Sequence, residues 1–425
     1  MTSLNRLPRP AERRLAVRVT ADALRIIRTG HPWVYETSIT DIKGSRPDGP
    51  NSPFRDGDPG DLAVIFDDSR KFAAIGLFDP SSPIRIKLLH VGKPVAIDRA
   101  FWTSKLNTAM QRRSPLETGN PTTTTTGYRI INGENDGMPG IVLDRYADTM
   151  VLKVYNSIWI PHLAELVPVI DELFHPRSLV LRHARNLEPS ALHGLEEGDA
   201  LLGVAPTEPV LFLENGLTFE ADVVHGQKTG HFLDQRENRA YLRTLTHDCR
   251  VLDMFAATGG FTVYAAAGGA TEVVAVDISE PTLAVATRNL QHNVSIPEVA
   301  ACKFRAVVGD AYEVLDRFQR NGERFEVVVI DPPSFTPRQT SVVRALEAYA
   351  RLTEKAIRLV RPGGIFVQAS CSSRVDADEF HTTVAHAAAQ AQRPLEILRR
   401  TGHPLDHPVS FPQGAYLKAV FARVP

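Results

Sequence analysis

Five residues able to hold or attack a chemical group recur at one kind of place in this sequence. They are Asp253 in VLDMFAATGG, Asp277 closing VVAVD, Asp310 closing VVGD, Asp331 in DPPSF and Cys371 in ASCSS. Each ends or follows an apolar, largely β-branched run of the kind that forms a buried strand. Carboxylates accept hydroxyl and amino donors, and a thiolate is a nucleophile, so the set suits a site that binds a polar ligand and forms a covalent bond. An Asp after a strand is commonly only the N-cap of the next helix. Capping alone does not require five polar groups at successive strand ends.

The turn FAATGGFTVYAA follows the first of these strands, and Gly259 and Gly260 let its backbone approach a ligand closely. Its spacing is neither GxGxxG nor GxxxxGK[ST], which makes a pyrophosphate at the helix N-terminus less favoured. Asp277 lies 24 positions after Asp253, near the offset of about 20 at which an acidic residue accepts the two hydroxyls of a ribose. An adenosine without phosphates satisfies both observations.

These residues need an open parallel sheet to position them. From Arg250 onward the runs RVLDMF, EVVAVDI, FRAVVGD, FEVVVIDP and GGIFVQASC alternate with amphipathic segments such as PTLAVATRNLQHN, AYEVLDRFQRN, SVVRALEAYARLTEKAIRLV and DADEFHTTVAHAAAQAQ. That is the order of strands and helices in an open α/β sheet, whose ligands sit outside the carboxyl ends of the strands. LEILRRT and AYLKAVFARV, joined by GHPLDHPVSFPQG, read as an antiparallel hairpin at its edge. Residues 15 to 90 read as a β-rich module (LAVRV, DLAVIF, FAAIGLF, IRIKLL) with one short helix near Ala21 to Thr29 and the turn-rich GSRPDGPNSPFRDGDPGD. Between them, a helix from Ile97 to Arg113, the loop PTTTTT, strands IVLDRYA and TMVLKVY, the helix HLAELVPVIDELF and strands SLVLRHA and LFLENGLTFEADVV describe a small α+β unit.

Composition sets the outer bounds. With 425 residues, 43% hydrophobic and 23% charged, the chain is an ordinary globular sequence long enough for two to four domains at roughly 100 to 200 residues each. No apolar run approaches the ~20 residues that span a bilayer, and MTSLNRLPRPAERRLAVRV lacks the apolar core of a secretory signal. A cytoplasmic location is expected. Cys249, Cys302 and Cys371 form no CxxC pair, which argues against zinc and against a disulfide framework. The net charge of -1 confines any nucleic-acid site to a local patch. Arg6, Arg9, Arg13, Arg14, Arg18, Arg25 and Arg28 supply one candidate, the ordinary alternative being a solvated basic tail.

Nearly end to end, the sequence resembles the class I S-adenosylmethionine-dependent methyltransferases, and within them the bacterial 23S ribosomal RNA cytosine-C5 methyltransferases of the RlmI type. HPWVYETSI resembles their PUA domain, YRIINGENDGMPGIVLDRYADTMVLKVY their central domain, and HGQKTGHFLDQRENR the segment leading into the methyltransferase domain. The resemblance implies an α/β fold, with a PUA-like RNA-binding domain (1–92), a central α+β domain (93–222) and a Rossmann-like methyltransferase domain (223–425). It implies S-adenosylmethionine as cofactor and RNA, ribosomal RNA of the large subunit, as partner, in a monomer or homodimer away from membranes. By analogy Asp253 and the turn with Ala256, Gly259 and Gly260 line the methionine part of the cofactor, Asp277 holds the ribose and Asp310 meets the adenine amino group. Lys228, Thr229, Phe232 and Gln235 close the pocket from the linker side, and Asp331 orients the base or cofactor. A capped polar helix is the ordinary alternative for KTGHFLDQRENR, and a generic β-rich appendage for the PUA-like module.

The target atom turns on Cys371. Cytosine C5 is too weak a nucleophile to attack a methylsulfonium until a nucleophile adds at C6, and a thiolate suits that step. Ser370, Ser372 and Ser373 flank Cys371 with hydroxyls and Arg374 with a positive charge, while Cys249 and Cys302 precede strands at the opposite edge and read as structural. Many RNA cytosine-C5 methyltransferases carry a second cysteine after the Asp-Pro of the fourth strand. Pro333 stands there, as in the resembled subfamily, so Cys371 is left as the nucleophile with Asp331 assisting the proton step. The subfamily usually reads DPPKF where this chain has Ser334 in DPPSF, closer to the DPPTF of guanine-N7 methyltransferases. Guanine N7 is therefore the alternative target. A non-catalytic RNA-binding protein that keeps the cofactor pocket is a second alternative, and a nicotinamide oxidoreductase is disfavoured by the absent GxGxxG.

Overall fold

In the first 91 residues, alternation of apolar and polar positions builds one curved sheet. Its elements are β1 (Leu15–Val19), α1 (Ala21–Arg28), β2 (Trp33–Tyr35), β3 (Ile39–Lys43), β4 (Leu62–Phe66), β5 (Phe72–Phe78) and β6 (Ile84–Val91), with strand order β2-β6-β5-β4-β1-β3. Leu15, Val17 and Val19 of β1 point inward, and Leu24 and Ile27 close α1 over the same core. The Thr20 side chain starts α1 by accepting from the Ala23 amide. The computed structural model describes residues 4, 7–12, 14–43, 57–117, 123–335 and 342–425. Arg6, Arg13, most of the 44–61 turn segment and the start of the threonine tract lie outside the described residues.

A second sheet follows from α2 (Arg99–Glu117), β7 (Gly127–Asn132), β8 (Ile141–Tyr146), β9 (Thr149–Val154), α3 (Leu163–Phe174), β10 (Ser178–His183) and β11 (Ala200–Gly203), ordered β11-β10-β9-β8-β7. The run LFLENGLTFEADVV is not one strand. It breaks at Asn215 and Gly216, whose φ values of 48° and 77° make the two-residue Asn-Gly turn of a hairpin. That hairpin is β12 (Val210–Glu214) and β13 (Leu217–Ala221). It docks on the last unit through Asn215 Nδ2 to the Tyr264 hydroxyl at 2.9 Å and the Glu220 amide to Asn289 Oδ1 at 2.9 Å.

The last unit runs α4 (Arg236–Arg243), β14 (Arg250–Met254), α5 (Gly260–Ala267), β15 (Glu272–Asp277), α6 (Glu280–Gln291), α7 (Pro297–Ala301), β16 (Lys303–Val308), α8 (Ala311–Arg320), β17 (Phe325–Ile330), α9 (Val342–Ile357), β18 (Val360–Ser370), α10 (Ala377–Gln390), β19 (Glu396–Thr401) and β20 (Lys418–Val424). The order is β16-β15-β14-β17-β18-β20-β19, parallel through β18, with β20 antiparallel to both neighbours. The final hairpin is thus not wholly at the edge, because β20 is inserted between β18 and β19. Val251, Val273 and Val327 bury one face of the sheet and Leu252, Val274 and Val328 the other, as strands covered on both sides require. Chain order reverses at β14, between β15 and β17, which fixes where a ligand crevice opens.

Candidate active site

At that reversal a cavity of about 440 Å3 opens against the carboxyl ends of the parallel strands, with residues 227–239 and Leu417 as its other wall. The chain leaves β14 through a tight turn in which Phe255 (φ 63°), Ala257 (φ 47°) and Gly259 (φ 78°) are all left-handed. Two non-glycine residues in that region are a local strain that the surroundings must enforce. The Ala256 amide bonds to the Val276 carbonyl at 3.0 Å, and the Ala257 amide to Asp277 Oδ2 at 3.0 Å. The Ser279 amide donates to Asp277 Oδ1, also at 3.0 Å. The carboxylate is thereby fixed from both sides, with lone pairs left on each oxygen for a diol in the cavity.

Asp310 serves two purposes at once. Its Oδ1 accepts from the amides of Tyr312 at 2.9 Å and Glu313 at 3.2 Å and so caps α8, while the residue also lines the cavity. Both capping bonds use Oδ1, which leaves Oδ2 for an amino donor. On the linker wall Lys228 Nζ donates to Asp234 Oδ2 at 2.9 Å and sits 4.3 Å from the centre of the Phe232 ring. The Tyr416 hydroxyl donates to the same oxygen at 2.9 Å. Burial alone would push the Asp234 carboxyl up, but Lys228 and its other cationic neighbours hold it well below the usual carboxylate range.

The reactive end joins Asp331 and Cys371. Gln235 Nε2 donates to Asp331 Oδ2 at 2.9 Å, and Gln235 is itself held by Asn238 Nδ2 at 2.6 Å. Burial, then the negative charge of Asp234, push the Asp331 carboxyl up to about 7. Burial and Asp331 push the Cys371 thiol up to about 11. The cation that offsets this is Lys228 rather than the adjacent Arg374, whose side chain is exposed. Ser370 is engaged with the Tyr349 hydroxyl at 2.8 Å. Lys418 Nζ is buried against the carbonyls of Ser372 and Val375 and braces the turn after Cys371.

Lys228, Phe232, Gln235, Ala256, Gly260, Asp277, Asp310, Asp331 and Cys371 are therefore brought together around one cavity. Asp253, Thr229 and Gly259 are not among its lining residues. Asp253 lies within β14 rather than at its end, is buried, and accepts from the Thr262 hydroxyl at 2.7 Å behind the turn. Burial pushes its carboxyl up to about 7. Thr229 is turned away, donating to Asp144 Oδ2 at 2.6 Å and meeting the Tyr146 hydroxyl at 3.0 Å, so it pins the linker to β8. Gly259 is needed for helix approach, since a Cβ there would stand 2.7 Å from the Ala286 Cβ of α6. Arg239, Asp234, Ile278 and Leu417 are lining residues that the sequence reading did not single out. Arg239 had a signal, standing four positions after Gln235 in the same quoted segment.

An adenosine-bearing sulfonium fits these residues. Asp234, Asp277, Asp310 and Asp331 outnumber Lys228 and Arg239 in the lining, and both cations are already paired with carboxylates. That balance suits a cationic cofactor and repels a pyrophosphate. Asp277→Ala is expected to weaken cofactor binding by about 1.5 to 3 kcal/mol, the range for a hydrogen bond to a charged group. Isothermal calorimetry with S-adenosylhomocysteine measures it, and an unchanged affinity would remove Asp277 from the ribose position.

Comparison with known proteins agrees with this geometry. Residues 175–423 match the model of the S-adenosylmethionine-dependent methyltransferase family, and residues 17–90 that of a PUA-like domain. A ribosomal RNA large subunit methyltransferase of Deinococcus radiodurans is 42% identical, covering 98% of this chain and 99% of its own. The ribosomal RNA large subunit methyltransferase I of Pseudoalteromonas translucida is 33% identical, covering 96% and 99%. A Streptococcus mutans protein assigned as a SAM-dependent methyltransferase shares the fold, with a TM-score of 0.78 at 20% identity over 96% of this chain and 100% of that one. A structure of a protein similarly assigned, complexed with SAH, superposes with a TM-score of 0.79 at the same identity and coverage.

Proposed function

This chain belongs to the S-adenosylmethionine-dependent methyltransferase family and uses that cofactor; on that premise we propose that it methylates C5 of a cytosine in large-subunit ribosomal RNA, through a covalent adduct on Cys371. One observation carries the reading: Cys371 and Asp331 line the same cavity as the acidic cradle for an adenosine. The substrate class follows from the relatives, which are ribosomal RNA large subunit methyltransferases. Among the described residues no helix is long and apolar enough to cross a membrane, and we assign the chain to the cytoplasm, where its RNA substrate is.

The family's cofactor supplies an electrophilic methyl group on a sulfonium. Asp277 and Asp310 would hold its adenosine, and Lys228, Phe232 and Gln235 would close over it. Cys371 then adds to C6 of the base, its thiol proton passing to the Asp331 carboxylate as the Sγ–C6 bond forms. With the methyl group on C5, the C5 proton leaves to solvent, the Sγ–C6 bond breaks, and Asp331 returns its proton to Cys371. A carboxyl near 7 suits a proton carrier, and the thiol, protonated in the free enzyme, is spared from idle oxidation.

Two measurements test this reading. Mass spectrometry of ribosomal RNA from a strain lacking the protein is expected to show one missing 5-methylcytosine; a missing 7-methylguanine would transfer the assignment to guanine N7, and an unchanged RNA would support a non-catalytic binder. In a Cys249→Ser/Cys302→Ser background, alkylation of Cys371 by iodoacetamide at pH 7 is expected to be on the order of 100-fold slower than that of an unperturbed thiol of pKa about 8.5. Its rate should keep climbing toward about 11. An inflection below pH 8 would contradict the buried thiol described above.

A further inference from the structure

Arg239 is a charged side chain at the cavity that the proposed chemistry leaves without a task. It lies on α4 with its side chain only 2% exposed. Nε and Nη2 form a fork on the buried Glu214 of β12, at 2.8 Å and 2.7 Å. Nη1 is left over, and among the described residues no protein acceptor is bonded to it. Arg239 nevertheless lines the cavity, beside Gly260 at the start of α5. A Cβ on Gly260 would stand 3.1 Å from Nη1 and 3.0 Å from Cδ, so the glycine leaves room beside Nη1 in the stretch of wall that both residues contribute to the cavity. The first amides of α5 have no partner within the helix and add positive potential at the same point.

We infer that Arg239, held in place by Glu214, receives the carboxylate of the cofactor's methionine moiety. A fixed guanidinium donor and a helix N-terminus form an anion site in a cavity whose remaining lining is acidic, and the amino-acid end of the cofactor is its anionic group. Glu214 is a positioning residue here. It orients the fork and spends two of the guanidinium nitrogens, so that a single donor edge points inward. Lys228, the other cation of the lining, sits at the Asp331 and Cys371 end and is committed to Asp234. The inference rests on the cofactor and not on which base is methylated.

The test crosses protein variants with ligands of the full chain. Wild type should bind S-adenosylhomocysteine at least 10-fold more tightly than its decarboxylated analogue, which keeps the amine. In an Arg239→Gln/Glu214→Gln double variant, which leaves no buried charge unpaired, the two ligands should bind within 2-fold of each other. If the double variant does not fold, Gly260→Ala, which retains the ion pair and fills the room beside Nη1, should cut the preference for the carboxylate at least 3-fold. A wild type indifferent to the carboxylate, or variants that weaken both ligands by the same factor, would overturn the inference. Loss of RNA methylation at cytosine would leave these affinities unaffected, so the two readings fail separately.

Discussion

Cys371→Ser abolishes methyl transfer while S-adenosylhomocysteine affinity stays within a few-fold of the parent: this is the largest functional effect expected of any single substitution. The side chain lines the cavity just past the end of β18, in the same lining as Asp331, whereas the proposed adenosine contacts are Asp277 and Asp310, at or just past the ends of β15 and β16 on the other side of β14. Serine keeps the volume close and the turn after β18 intact, because the bracing bonds from Lys418 go to the carbonyls of Ser372 and Val375 rather than to position 371. What it removes is nucleophilicity: a hydroxyl without a strong adjacent base does not add to C6 at a useful rate. RNA containing 5-fluorocytosine is expected to remain covalently attached to the parent enzyme, since fluorine cannot leave C5 as a proton would. Full activity in the serine variant would end the nucleophile reading and favour direct transfer to a base nitrogen. A trapped complex that survives Cys371→Ser would do the same by pointing to another nucleophile.

Local patterns carried most of the site. Asp277, Asp310 and Asp331 stand at or just past the ends of β15, β16 and β17, and their position in apolar runs predicts that they reach the carboxyl edge. Asp253 has the same residue type in a similar run, but it pairs in register with Ala275 and Val329, two residues before Asp277 and Asp331, so it shares their face yet stops short of the carboxyl edge and is buried against Thr262. The Asn-Gly turn at 215 and 216 was equally legible and marks a hairpin inside what reads as a continuous apolar stretch. Long-range ion pairs are another matter. Arg236 and Asp406 are 170 positions apart, and Arg239 and Glu214 are 25 apart; nothing in the local sequence of either partner names the other. The positive charge near Cys371 likewise comes from Lys228, distant in sequence, and not from the neighbouring Arg374. Electrostatics that depend on which surfaces meet can be read only once the sheets are assembled.

Asp406→Ala is expected to cost about 3 to 5 kcal/mol in denaturant unfolding, the range for breaking a buried ion pair from one side. Asp406 and Arg236 are both fully buried, and the carboxylate takes the guanidinium through both oxygens at 2.8 Å and 3.0 Å. It also accepts the Arg129 amide at 2.9 Å, while its own carbonyl accepts Arg113 Nη2 at 2.9 Å. Removing the side chain would leave the buried guanidinium with only the longer contacts to the exposed Glu237, at 3.3 Å and 3.4 Å, and would take the side-chain acceptor from the Arg129 amide. Asp406→Asn should cost less, because the amide oxygen keeps one acceptor. The loop between β19 and β20 joins the sheets, with Ser410 bonded to Asn135 and Phe411 packed edge-on against Trp33, centroids 5.1 Å apart. It then delivers Tyr416 to Asp234 and Leu417 to the cavity. Asp406→Ala should therefore weaken cofactor binding as well as stability, although Asp406 does not line the site. Acid should act on the same loop. His403 Nε2 accepts from the amides of Tyr416 and Leu417, and burial pushes its imidazole down to about 4. Because the folded form resists the proton that the unfolded chain accepts near 6.5, this contribution is fully present above 6.5 and is lost as pH falls toward 4. A His403→Gln variant should show a shallower loss of stability across that window. Equal slopes would mean that the loop is held by the Asp406 pair alone, and an unchanged unfolding midpoint in Asp406→Ala would mean that the pair does not hold it either.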